Sequence, residues 1–256
     1  MSRPAESHGS QRHMLDRLRR SPKALSAAVS AQVEPPIDGP PFGWLDAGEH
    51  ATPARRAGRE PFEIEWRGVD FLGDERPDLV RAYRSDFWPQ TGNVPNWDAI
   101  GRRETGDGPE WLLVEAKGHL RELDQACTAK AASLGGSREA IAERLDEVKA
   151  AISPGNPNDW LAHYYQFANR LATLWFLAEH GVQARLLHVC VVGESHFRDA
   201  PRSAEEWRRG RDGVGGLDAM HGWFGRPFEH PLEARLHDLF LSVAVKDESV
   251  ISRASR

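Results

Sequence analysis

Glu115, Ala116 and Lys117 stand at the end of an apolar run of strand length, WLLVEA over 111–116. On a strand, residues two apart point to the same side, so the Glu115 carboxylate and the Lys117 ammonium lie next to each other. Asp98 lies seventeen residues before Glu115, on a short segment, Trp97 to Gly101, that reads as the other arm of a hairpin around the polar residues 102–110. In the obvious register Asp98 and Glu115 converge where strand ends open to solvent. Two hard oxygen ligands, with water in the remaining positions, are how a protein holds Mg²⁺ or Mn²⁺ for phosphodiester hydrolysis. A lysine beside them can position or help to ionise the attacking water and offset the charge that builds on phosphorus.

The bare triplet is weak by itself, because 21 glutamates and 5 lysines in 256 residues yield about 0.4 Glu-x-Lys triplets by chance. The chain contains its own control in Glu147-Val148-Lys149, which falls on an amphipathic helical pattern where i and i+2 do not face each other. Glu115 and Lys117 differ by context: an apolar strand before them, an acid across a hairpin, a helix and a strand after them. Gln166 and Arg170 are four apart on a long helical segment and share a face. They read either as its polar edge or as a pair that binds phosphate or orients Glu115 and Lys117. Tyr165 is a weaker candidate for that face. His119, two residues past Lys117, offers an acid, a base or an extra ligand, or else a structural histidine at a strand exit. Cys190, within RLLHVCVV, reads as a small apolar filler. The Gly213–Gly216 stretch lacks the Lys-Ser/Thr of a phosphate loop, and no Gly-x-Ser-x-Gly elbow is present.

These residues need elements to hold them. Leu79, Val80 and Tyr83 fall at helical spacing before Pro89, Gly92 and Pro95 force a loop. Ser137 caps a predicted helix with Ile141, Leu145, Val148 and Ile152 on one face. A longer helix is expected over about 158–180, ended by Gly181, and Arg185 to Val192 must be an inner strand. A strand so soon after a long helix implies a crossover back onto the sheet that carries the hairpin. Ser203 and Glu206 form a capping box, and a last helix is expected over 232–245. The first 57 residues hold seven of seventeen prolines and no sustained apolar period, so they read as an extended or flexible arm before one domain over 58–256. Within that arm, Met14, Leu15, Leu18 and Leu25 could line a short helix.

At this length a core forms without staples, and two distant cysteines suggest free thiols in a reducing, cytoplasmic setting. No apolar run approaches the ~20 residues of a membrane span, and no secretory leader is evident. With 33 basic against 38 acidic residues the net charge is −5, which gives no global attraction to nucleic acid. Any duplex affinity would be modest, and a protein partner could deliver the substrate.

In sum of motifs, the chain resembles the PD-(D/E)xK nuclease superfamily, of restriction-endonuclease-like fold. The residues that carry the likeness are PNWDAIG at 95–101, WLLVEAKGHLREL at 111–123 and YYQFANRLATLWFL at 164–177, which are similar to an uncharacterised bacterial group within it. Trp97 stands where the family often has proline, and Pro95 is three positions before the acid. The resemblance implies an α/β fold with a mixed central sheet flanked by helices. It also implies Mg²⁺ or Mn²⁺ on Asp98, Glu115 and the Ala116 carbonyl, with Lys117 as catalytic lysine and nucleic acid, DNA in preference to RNA, as substrate. Many members add a glutamate from an early helix, for which Glu75 and Asp78 are the candidates. Others have lost cleavage and serve as interaction scaffolds, which is the alternative reading.

Overall fold

The computed structural model describes residues 22–46, 65–73, 75–90, 94–129, 137–194, 197, 200–225 and 230–242. Its centre is a five-stranded mixed sheet in the order β1-β4-β5-β6-β7. These strands are β1 (Gly43–Trp44), β4 (Ala99–Thr105), β5 (Gly108–Lys117), β6 (Gln183–Val192) and β7 (Leu236–Ser242). The pairs β1–β4 and β4–β5 are antiparallel, whereas β5–β6 and β6–β7 are parallel. A separate ladder joins β2 (Trp66–Arg67) to β3 (Asn96–Trp97). Among the described residues six α-helices accompany them: α1 (Pro22–Gln32), α2 (Pro77–Ala82), α3 (Ser137–Ile152), α4 (Tyr165–Glu179), α5 (Ala204–Arg209) and α6 (Leu217–Trp223). No described helix is long and apolar enough to cross a membrane.

The hairpin forms with a tighter turn than its polar residues suggest. Thr105 pairs with Gly108, so only Gly106 and Asp107 make the turn, and Gly108 adopts φ +107, a conformation that favours glycine. The strands run through the charged stretch because its charges are matched. Arg103 and Arg185 both donate to Glu110 at 2.6 Å, and Arg102 lies 5.4 Å over the Trp111 ring. The crossover expected after β5 is present, with α3 and α4 between two parallel strands. The long helix starts later than its apolar pattern, since Tyr164 is left-handed at φ 51 and helical turns begin at Tyr165. Gly181 ends it with φ 71, as expected.

Side chains alternate across the sheet and build two apolar layers. Trp111, Leu113, Leu186, Cys190 and Leu236 face α4 and α6, in the larger cluster. Leu112, Val114, Ala116, Leu187, Val189 and Leu239 face Leu25, Val29, Val33, Ile37 and Phe42. Two sequence expectations are corrected here. Residues 22–46 are not an extended arm: α1 and the residues after it pack on one face of the sheet, and Glu34 exchanges both backbone bonds with Asp238 at 2.7 and 2.8 Å. Its prolines lie between packed residues rather than replacing them. Residues 1–21 and 47–57 of that expected arm, Met14, Leu15 and Leu18 among them, lie outside the described residues. The predicted helix over 232–245 is instead one 3-10 turn followed by β7; of that range, 243–245 lie outside the described residues. Leu236 and Leu239 are buried on opposite faces, a pattern that a strand covered on both sides satisfies and that apolar spacing alone does not distinguish from a helix.

Leu25→Ala should lower stability by about 2–4 kcal/mol, the cost of a core truncation, because Leu25 is only 2% exposed beneath the sheet. A urea midpoint equal to wild type would mean that α1 does not pack there in solution.

Candidate active site

Asp98 occupies the bend between β3 and β4. Its N–H donates to the Val114 carbonyl at 3.0 Å, and its Oδ2 accepts the Ala116 N–H at 2.7 Å. The carboxyl thus replaces the next rung that β4 would have supplied, which fixes it beside the carboxyl end of β5. A strand residue's N–H and C=O face the same neighbour, so the Ala116 carbonyl leaves on the Asp98 side.

Glu115 points to the opposite face from Ala116, into the layer between sheet and α4. Its Oε1 accepts Lys117 Nζ at 2.6 Å. Its Oε2 accepts Arg170 through Nη2 at 2.7 Å and Nε at 3.2 Å. All three side chains are nearly sealed, at 9%, 8% and 10% exposure. Arg170 is itself fully occupied: it donates to the Asn96 carbonyl and to Asn169 Oδ1, both at 2.7 Å, and stacks 5.5 Å from Trp97. Lys117 also donates to Gln166 Oε1 at 2.5 Å, and Gln166 Nε2 donates onward to Gln125 Oε1 at 2.8 Å. Gln166 and Arg170 therefore touch the Glu115–Lys117 pair directly and are not a solvated helix edge. A cavity of about 10 Å³, room for roughly one water, is lined by Glu115, Lys117, Gln166, Arg170, His188 and Met220.

The two carboxyls are driven apart electrostatically. Burial pushes Glu115 up, but the charges and hydrogen bonds of Arg170 and Lys117 outweigh it and hold Glu115 well below the usual carboxylate range. Asp98 is half-buried, lacks such cations at its side and faces the Glu115 charge. Burial first, and that charge second, raise it to about 8, against the opposing pull of the Ala116 N–H and Lys117. Two neighbouring carboxyls, one of them holding a proton mainly because burial disfavours its charge, are a donor set that a hard divalent cation satisfies. Asp98, Glu115 and the Ala116 carbonyl fit Mg²⁺ or Mn²⁺ on that ground.

Other sequence candidates fall elsewhere. His119 turns to Glu122, 3.4 Å away, and stacks 4.4 Å from Phe197, while Glu122 accepts the Gly118 N–H at 2.7 Å. It serves the turn that ends β5. Glu75 pairs with Arg102 and Asp78 with Arg76, each at 3.3 Å. A smaller contribution to the raised proton affinity of Asp98 comes from the charge of Glu65, just before β2. Glu65 was overlooked because nothing in the sequence ties 65 to 98, and the link is the β2–β3 ladder, Trp66 opposite Trp97. Cys190 is wholly buried opposite Lys117, and burial raises its thiol well above the ordinary value, as suits an inert filler.

Neither protein-family models, nor curated proteins, nor solved structures match this chain.

In metal-free buffer, Asp98 keeps its proton up to about pH 8 when folded but loses it near pH 4 when unfolded, by its ordinary value of about 3.9. The folded state holds the extra proton across that window, so this contribution is present below about pH 4 and is lost as pH rises through 8. Wild type in EDTA should therefore lose roughly 2–4 kcal/mol relative to Asp98→Asn between pH 5 and pH 8, read from denaturation midpoints. Parallel pH profiles would show that Asp98 ionises normally.

Proposed function

We propose that the chain is a divalent-metal-dependent phosphodiesterase of the PD-(D/E)xK type that acts on nucleic acid, DNA in preference to RNA. The observation that supports it most is the meeting of Asp98 with Glu115 and Lys117 at the carboxyl end of β5. Mg²⁺ or Mn²⁺ at the two carboxyls would supply an activated water and neutralise charge on the phosphoryl oxygens. Arg170 keeps Glu115 ionised and aimed, Gln166 holds the Lys117 ammonium against it, and Lys117 would position the attacking water and offset charge on phosphorus. The substrate preference rests on the family resemblance. The net charge of −5 suits delivery of substrate by a protein partner better than tight non-specific duplex binding.

A second reading, a scaffold that has lost cleavage, is favoured by one observation: both Glu115 oxygens already accept cationic donors, and the adjoining cavity admits about one water.

Cleavage of a mixed panel of duplex, single-stranded and branched DNA and RNA with Mg²⁺ or Mn²⁺ separates the two. Lys117→Ala should lower the rate at least ~100-fold, as expected for loss of a group that stabilises transition-state charge, with the fold retained by circular dichroism. Equal cleavage by Lys117→Ala and wild type would exclude this site, and no cleavage by either would favour the scaffold.

A further inference from the structure

One row of the sheet continues past Glu115. In the parallel register Glu115 is opposite His188 on β6, and His188 is opposite Asp238 on β7, so the three side chains share the α4 face. Over that row lies α6, which contributes His221. One ligand atom from each of His188, His221 and Asp238 falls within 4.8 Å of the others. Both imidazoles are enclosed, at 3% and 8% exposure, and Phe167 packs against them at 5.2 and 5.9 Å.

We infer that His188, His221 and Asp238 form a binding site for a transition-metal ion of the Zn²⁺ class. Donor chemistry selects the class: two imidazoles and one carboxylate suit Zn²⁺, Co²⁺, Ni²⁺ or Fe²⁺, whereas Mg²⁺ and Ca²⁺ take oxygen sets. Spacing agrees. Tetrahedral zinc with bonds of about 2.0–2.1 Å sets its donor atoms about 3.3 Å apart, and His188 Nδ1 stands 3.4 Å from Asp238 Oδ1. The His221 donor, within 4.8 Å of the others, would have to move closer on the seven-residue α6. His188 also lines the cavity beside Glu115 and Lys117, a space for about one water. The site uses none of Asp98, Glu115 or Lys117, and it stands whether or not those residues cleave nucleic acid.

The full-length chain, stripped with EDTA, is titrated with Co²⁺ and followed by visible ligand-field absorption, with Zn²⁺ as competitor and metal content measured after dialysis. Asp98→Asn should take up one Co²⁺ per chain, and wild type at least one. His221→Ala and Asp238→Asn should lose more affinity than the roughly 10–100-fold that loss of a supporting hydrogen bond costs a metal site. Zn²⁺ should raise the melting temperature of wild type and leave that of His221→Ala unchanged, with circular dichroism reporting that the variants fold. Absence of Co²⁺ uptake by folded wild type overturns the site, as does uptake that survives both ligand substitutions. Uptake lost in Asp98→Asn but kept in His221→Ala also overturns it, by placing the ion at the carboxyl pair. Cleavage is not the readout, so Co²⁺ binding by an inactive protein leaves the site standing and counts only against the nuclease, while Mg²⁺-dependent cleavage by a protein that binds no Co²⁺ does the reverse.

Discussion

A carboxylate enclosed between a sheet and a helix is tolerable only if cations are enclosed with it, because an unpaired buried charge costs several kcal/mol. Glu115 meets this condition with two partners of different kinds. Lys117 comes from its own strand and needs no tertiary structure to be near. Arg170 comes from α4, and its forked guanidinium joins Glu115 to the Asn96 carbonyl and the Trp97 ring, so it ties helix, central strand and the β2–β3 ladder at one point. The relative placement of these three parts follows from where that one cation can be satisfied. Gln166 and Gln125 extend the same logic outward, holding Lys117 from the side that Glu115 leaves open.

Such a cluster is not by itself a mark of catalysis, and β5 supplies the comparison. At its other end, on the opposite face, Glu110 is 5% exposed and is likewise bracketed by two cations, Arg103 and Arg185. Arg103 goes on to bond the Asp38 and Pro40 carbonyls, so that cluster fastens the segment after α1 to the sheet. What distinguishes the Glu115 end is the second carboxyl. Asp98 sits where β4 departs from the ladder and has no guanidinium of its own among the described contacts. Glu110 is a closed structural clamp, whereas Glu115 has an acid beside it that the local cations leave unbalanced.

Much of this was legible in the sequence, for reasons that differ by residue. Glu-x-Lys on an apolar strand states its own geometry, and the hairpin places Asp98 with only a register to decide. Gln166 and Arg170 announced a common helix face, though not what that face meets. Long-range neighbours had no local signal: the two-residue β2–β3 ladder brings the chain after Glu65 beside the segment that leads into Asp98, and His188, His221 and Asp238 come from three elements with no characteristic spacing. The segment 22–46 defeats a periodicity reading because its apolar residues are divided between a helix (Leu25, Val29) and the irregular backbone that follows it (Val33, Ile37, Phe42), so no single period runs through them. The strand β7 was misread as helix because burial on both faces erases the alternation that would have identified it.

The opposed proton affinities of Asp98 and Glu115 bear on how a cation would be received. Had both acids been paired with arginine, as Glu110 is, a divalent ion would have to displace fixed cations and would gain little. Had neither been paired, burial and mutual repulsion would keep at least one neutral and leave the other poorly aimed. Instead one carboxyl is ionised and held in position by Arg170 and Lys117, while the other carries a proton mainly because burial disfavours its charge, with the neighbouring anion adding to that effect. A cation arriving between them meets an oriented anion and has to displace one proton, at a cost that the raised proton affinity of Asp98 imposes below about pH 8 and that shrinks as pH rises toward it. The arrangement separates aim from charge balance: Arg170 supplies the first through Glu115, and the deficit at Asp98 leaves the second for an ion to complete.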